Sequence, residues 1–362
     1  MNTSLSYHYN AIDYSYKIPL SENINSNQYA YRANVRFEKT KGLFRFTAGG
    51  LVKWDDFNIN TTKGSYSNCM VEPNASLSLV FNPKHKLSLG ASYNQTPYSI
   101  NHFSDTIRII SYNQSLGKSE ISDPFNKNTN ISLQYFIFDL YSRTSLFVYS
   151  NYTHAHNAPL MNIQQSGITN NIHYSNGGET ELFMSKILVS KGLGFIPADI
   201  KLDASHTYTK TLSSINQILS TTSSNNTNVG LSINSRFKSI FNFEIGTRYR
   251  HLYNESKTFN TNSHLNEWGA SIKMNFVYKK FNANVHCSYD NISTNYYSQD
   301  FTDVGFHIGY DFKWFGVRVS GRNLLNMDKM EWITTTSNEL YTSDTYYRKI
   351  PGSILLSLVY KF

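Results

Sequence analysis

The residues best suited to chemistry are a His-x-His pair, two cysteines, many serines and a set of arginines. His154 and His156 fall on one face of an extended segment, a spacing that can hold a metal ion between imidazoles. Two ligands rarely complete a metal's shell, and no acidic or cysteine partner is near in sequence, so no metal is expected. Serine and histidine abound, but no Gly-x-Ser-x-Gly run marks a nucleophile, so no catalytic residue and no cofactor is assigned. Cys69 and Cys287 are too few and too distant to form a disulfide framework. Cys287 shares the phase of apolar neighbours, where a free thiol behaves as a small hydrophobe. Arg32, Arg36, Arg236, Arg248, Arg250, Arg318 and Arg322, with Arg45, Lys53 and Lys273, alternate with apolar residues. Glu38, Asp203, Glu244, Glu267, Asp303 and Asp311 share their phase. The excess of base favours an anionic ligand; cross-strand charge pairing is the plainer reading.

Those side chains need elements to carry them, and the elements announce themselves by a period of two. Phe241, Phe243, Ile245, Tyr249 and Tyr253 occupy one phase; Asn242, Glu244, Gly246, Arg248 and Arg250 occupy the other. Trp268, Ala270, Ile272, Met274, Phe276 and Tyr278 repeat the pattern against Glu267, Gly269, Ser271, Lys273 and Asn275. Successive side chains on a strand point to opposite faces, so a wall with lipid outside and water inside must alternate in this way. Short turns are expected near 40–42, 82–85, 138–141, 191–196, 238–239, 279–280 and 313–315. Longer Asn/Ser/Thr-rich connections are expected at 97–125, 155–176, 211–224 and 327–346. Short turns at one end and long loops at the other are how outer-membrane barrels are built.

Composition agrees. Aromatic residues reach 15% and charged residues only 16% of the 362, against about 25% charged in an average soluble chain. Mean hydropathy is still polar, −0.42, and no apolar run approaches the roughly 20 residues of a spanning helix. A membrane chain without such a helix must satisfy its backbone by strand pairing. The formal net charge of +8 does not point to nucleic acid, because the basic residues are scattered along the chain. A soluble β-sandwich would also alternate, but about 16 strands exceed what an open sheet holds before it curls or splits. The expected fold is therefore all-β, a transmembrane antiparallel β-barrel of about 16 strands across residues 1–362. Trp54, Trp268, Trp314 and Trp332 are expected at its interfacial girdles.

The last strand places Ile354, Leu356, Leu358, Tyr360 and Phe362 in one phase and ends on an aromatic residue. Tyr360 and Phe362 resemble the terminal signal read by the barrel assembly machinery. Upstream, Gly321-Arg322-Asn323-Leu324-Leu325-Asn326 precedes a loop, then Ile350-Pro351-Gly352-Ser353 leads into Tyr360-Lys361-Phe362. These motifs, over about the last fifty residues, resemble the barrel end of TonB-dependent receptors. The resemblance implies a Gram-negative outer membrane and a barrel of about 22 strands, of which this chain would supply the C-terminal part. It also implies a plug domain that docks against the lumen bases and couples to the TonB system, with a surface lipoprotein as a further partner. Neither a plug, a TonB box nor a signal peptide is expected within these residues. Import of a bulky nutrient is the function implied. A passive porin-like channel closing at about 16 strands is the alternative, and an outer-membrane hydrolase is the lesser one.

Overall fold

A computed structural model describes residues 2–17, 23–59, 64–103, 107–237, 240–295, 297–325, 330–337, 342–349 and 352–360. Side chains are described from residue 31 onward, apart from 57–65, 100 and 326–351 within those ranges. The strands are β1 (Asn2–Lys17), β2 (Asn23–Lys41), β3 (Phe44–Ile59), β4 (Gly64–Asn82) and β5 (His85–Pro97). Short β6 (Arg108–Ser111) and β7 (Gln114–Leu116) follow, then β8 (Phe125–Asp139), β9 (Thr144–Ser166) and β10 (Thr169–Gly192). Next come β11 (Ala198–Ile215), β12 (Ile218–Ser235), β13 (Phe241–Ser256), β14 (Thr261–Tyr278) and β15 (Phe281–Thr294). The chain closes with β16 (Ser298–Asp311), β17 (Phe315–Arg322), β18 (Met330–Ser337), β19 (Thr342–Lys349) and β20 (Ser353–Tyr360).

Sixteen of these strands make one antiparallel wall in chain order. The meander runs from β1 through β5, on to β8, β9 and β10, and then step by step to β17 and β20. Among the described residues no pairing joins β1 to β20. Apart from this wall, β18 and β19 pair antiparallel with each other. The only helical element among the described residues is one 3-10 turn, Ile100–His102.

Six of the expected short turns fall where the alternation breaks and lie at one end of the wall; the one expected at 238–239 lies outside the described residues. At Gly42 the backbone takes φ +58°, a left-handed conformation that glycine adopts without a Cβ penalty. The expected loops at 155–176 and 211–224 are instead continuous hairpins. β9 and β10 turn at Gly167, and β11 and β12 turn at Asn216 and Gln217. They are rich in Asn, Ser and Thr because they stand beyond the lipid, where both faces meet water and alternation has no cause.

The β9–β10 hairpin also changes neighbours along its length. Near the short turns β10 lies beside β11. At the tip β9 runs parallel to β11, pairing Met161 with Ser213, and β10 runs parallel to β7, pairing Ile172 with Leu116. The ribbon has therefore rolled over by half a turn. Register shifts between Ser175 and Thr180 mark the place, and bulges of this kind increase strand twist. Gly178 permits it: a Cβ there would sit 2.7 Å from the Ala158 carbonyl oxygen and 2.9 Å from the Leu160 nitrogen.

The outward face carries the apolar side chains. Val35, Trp54, Leu231, Ile245, Tyr249, Trp268, Phe276, Leu356 and Leu358 are all exposed, so this face is no dry core. From Trp268 to Tyr278 a strand rising about 3.4 Å per residue covers roughly 34 Å. At a tilt near 40° that is about 26 Å of height, the depth of a barrel's apolar band. Trp54, Tyr249 and Trp268 mark its loop-side rim; Phe241, Phe276, Tyr278, Tyr310, Trp314, Phe315 and Tyr360 mark the turn side. Trp332 lies outside the described side chains. Cys69 and Cys287 are both free, and both share the outward phase.

Candidate functional site

The site is the inward wall, and the pairing register builds it row by row. Arg248 of β13 stands opposite Gly269 of β14, which stands opposite Asp290 of β15. The glycine leaves the space through which Arg248 reaches Asp290 at 2.7 Å; a Cβ at Gly269 would lie 2.2 Å from the Asp290 Oδ1. Arg248 also meets Glu267 at 3.1 Å, and Arg250 approaches the same carboxylate at 4.0 Å. Glu38 bridges Arg36 at 3.5 Å and Arg45 at 2.7 Å. Lys273 and Glu244 pair across β13 and β14 at 3.7 Å. Arg236 pairs with the buried carboxylate of Asp199, but it sits past the end of β12, at the short-turn end, and not in the wall where alternation placed it.

Cross-strand pairing therefore accounts for Arg45, Arg236, Arg248 and Arg250, and Arg36 pairs with Glu38 along its own strand. Arg318 and Arg322 differ. Both face the lumen on β17, beside His286, His307, Asn284 and Ser357 around a recess of about 550 Å³, and neither makes an ion pair among the described residues. Arg32 faces inward opposite Lys53, with its Nε buried and lacking a hydrogen-bond acceptor among the described residues. Lys53 turns instead to Asp55, an ion pair buried on the same wall. Among the described residues the lumen wall is thus compensated over β13–β15, with bases left without a carboxylate at Arg32 of β2 and at Arg318 and Arg322 of β17.

Along the middle of the wall lies a larger hollow of about 710 Å³. Its inward lining includes Phe136, Phe147, Leu188, Lys201, Gly230 and Arg248. Sequence reading missed the apolar part of this set. The signal was present as an apolar run on both phases at Tyr135–Phe138, which the turn after Asp139 concealed.

At the loop end, residues 98–103 and 107–124 fold over the wall around Tyr98, Phe103 and Ile121, with Tyr66 of β4 and Tyr174 of β10 packed against them. The Tyr66 hydroxyl donates to the Ile121 carbonyl at 3.2 Å. The Asn176 amide nitrogen donates to Tyr98 Oη at 3.3 Å, and the Tyr98 hydroxyl in turn donates to the Asn157 carbonyl. Burial pushes the Tyr98 phenol up to about 12. Burial also lowers His102, whose ring lies 4.6 Å from that of Tyr174 and whose Nδ1 has no hydrogen-bond partner among the described residues.

His154 and His156 do come together, ring centroids 3.9 Å apart, but no third metal-ligating side chain joins them among the described residues. Their register, with His154 opposite Glu181, puts them on the outward side above the girdle, away from the lumen. Tyr360 ends β20 on the outward face and is exposed. Phe362 lies outside the described residues.

An apolar, exposed outer belt around a charged, hollow inner face decides the class. This is the wall of an outer-membrane β-barrel. Among the described residues no helix is long and apolar enough to cross a membrane, and the strands do the crossing. No family model matches the chain, and no curated protein sequence matches it. Among solved structures it is similar to a loop L8 deletion mutant of OmpT, an outer membrane protein of Vibrio cholerae. The identity is 11%, the coverage 99% of both chains and the TM-score 0.32. It is similar to the outer membrane transporter YddB of Escherichia coli at 9% identity, over 93% of this chain and 68% of that one, TM-score 0.27. A triple mutant of the Rhodopseudomonas blastica porin shares 13% identity over 89% of this chain and 94% of its own, TM-score 0.24.

Proposed function

We propose that the chain forms the wall of a solute conduit through the outer membrane, in the manner of a TonB-dependent receptor barrel that imports a bulky nutrient. The observation that carries the proposal is the division of labour between faces: an apolar belt outside, and inside a polar surface with a hollow of about 710 Å³. In this reading the wall itself does no chemistry. Energy coupling belongs to a plug and the TonB system, the bases at β2 and β17 meet plug or ligand, and the aromatic strand end at Tyr360 and Phe362 serves barrel assembly. A surface lipoprotein partner fits the same scheme.

One observation favours a second reading, a passive channel. The loop from Tyr98 to Pro124 bridges β4 and the β9–β10 hairpin by way of Tyr66 and Tyr174, and Lys53, Asp55 and Met70 on the adjoining lumen wall are buried. A loop folded across the mouth is what a size-selecting pore requires. Refolded chain in a planar lipid bilayer separates the two. A steady open conductance, narrowed by the loop and widened on its deletion, favours the passive pore. A barrel that passes solute only when a plug-bearing partner and an energy source are supplied favours the receptor. A chain that never inserts into bilayers overturns both.

A further inference from the structure

Single apolar side chains such as Val80, Val277 and Leu355 interrupt the polar inner face, but on β8–β10 the rule of polar residues inside fails over three adjacent strands. Phe136 and Phe138 of β8 both face the lumen, their rings stacked with centroids 6.1 Å apart. Phe136 is opposite Phe147, which is opposite Leu188, so three strands present an apolar floor in one row. Phe136 remains 42% and Phe138 45% exposed, on the side that meets water. The row continues through Asp203 to Gly230, where the missing side chain deepens the hollow.

Charge around this floor is arranged unequally. Each acid bordering it has a base: Asp203 meets Lys186 at 3.8 Å, Glu244 meets Lys273 at 3.7 Å and Asp290 meets Arg248 at 2.7 Å. Lys201, on the next row beside Ser190, is exposed and has no ion pair among the described residues. Lys86, opposite Phe136 on β5, is likewise exposed and without an ion pair among the described residues, and free cations beside an aromatic floor are half of a recognition pattern. A hollow of about 710 Å³ also falls within the range of roughly 300–1,000 Å³ that small-molecule sites occupy.

We propose that this recess binds an amphipathic organic anion, its apolar body on Phe136, Phe147 and Leu188 and its carboxylate on Lys201. The inference rests on the inward face being a water-filled lumen. Such a ligand removes from water the apolar surface that the wall leaves exposed and supplies the charge that Lys201 lacks. A cation would find every carboxylate already engaged, and a small hydrophilic anion would leave the floor uncovered.

The test uses the full chain refolded in lipid nanodiscs, with 2-naphthoate as probe and 2-naphthalenemethanol and acetate as comparators, read by equilibrium dialysis against protein-free nanodiscs. Naphthoate is expected to bind saturably and acetate not at all. Lys201→Gln should weaken naphthoate by about three- to fivefold, the scale of an exposed ion pair, and leave the neutral alcohol unchanged. Phe136→Ser with Phe147→Ser should weaken both aromatic probes by roughly tenfold or more through lost apolar contact. Gly230→Val offers a variant that keeps the floor. Its Cβ would have no neighbour nearer than 3.8 Å, so the wall should fold normally while the recess fills and naphthoate binding drops. Naphthoate uptake that is not saturable, or that is the same in Lys201→Gln and Gly230→Val as in the parent, overturns the site. Bilayer conductance of the same preparation reports on the conduit separately, so loss of the site and loss of the conduit are distinguishable.

Discussion

At the scale of single residues, the phase of a side chain decides what it is worth. Leu231 faces lipid and Asn228, three positions back on β12, faces the lumen. A charge on the lipid face near mid-depth costs about 2–4 kcal/mol. Leu231→Arg should therefore lower the unfolding free energy of refolded barrel in liposomes, read by denaturant titration, by that amount, while Asn228→Arg should leave it nearly unchanged. Equal effects would contradict the phase. Charge is likewise worth what its partners leave free. Arg318 and Arg322 meet no carboxylate among the described residues, whereas Arg248 is held by two. The double variant Arg318→Gln, Arg322→Gln should shift the bilayer reversal potential toward cation selectivity. Arg248→Gln should shift it less and cost stability, because Asp290 is left buried without its base. The sequence shows the phase of all these arginines, since alternation is local. It does not show which are neutralised, because partners such as Arg248 and Asp290 are set by register across a strand between them.

At the scale of elements, the short turns and wall strands follow from the break and resumption of alternation. The tall hairpins do not, because above the lipid both faces of a strand are wet and the periodic signal disappears. The rolled β9–β10 ribbon was unreadable for a further reason: it depends on one close backbone approach at Gly178. Gly178→Val should prevent the roll. A disulfide engineered between Met161→Cys and Ser213→Cys, positions paired in parallel at the tip, should form in the parent and fail to form with Gly178→Val; formation in both would show that the roll does not need the glycine. The loop over the mouth carries a pH dependence. Burial holds His102 below its ordinary value of 6.5, so the released loop binds a proton more readily than the packed one. Packing is complete above 6.5 and weakens as pH falls through 6.5 toward the lowered value, with stability rising with pH across that window. Limited proteolysis within 98–124 should accelerate over that range, and His102→Phe should remove the acceleration.

At the scale of the whole molecule, sixteen strands pair in chain order into one wall, and the β12–β16 arc shows its construction most plainly. There Ile245, Ile272 and Cys287 form an outward row, and Glu244, Lys273 and His286 form the inward row beside it. The alternation made the wall legible, whereas the apolar floor at Phe136 and Phe147 runs against it and emerges only when β8, β9 and β10 are set side by side. The most direct test replaces Cys69 and Cys287 by alanine and places one nitroxide-labelled cysteine in turn at each position from Phe241 to Ser256 of barrel refolded in liposomes. Collision rates with oxygen, enriched in lipid, and with a water-soluble nickel chelate should then oscillate in antiphase with a period of two. Oxygen should win at Phe241, Phe243, Ile245 and Tyr249, and nickel at Glu244, Gly246, Arg248 and Arg250. Rates that vary smoothly along the segment, or nickel winning on both phases, would contradict a wall between lipid and water.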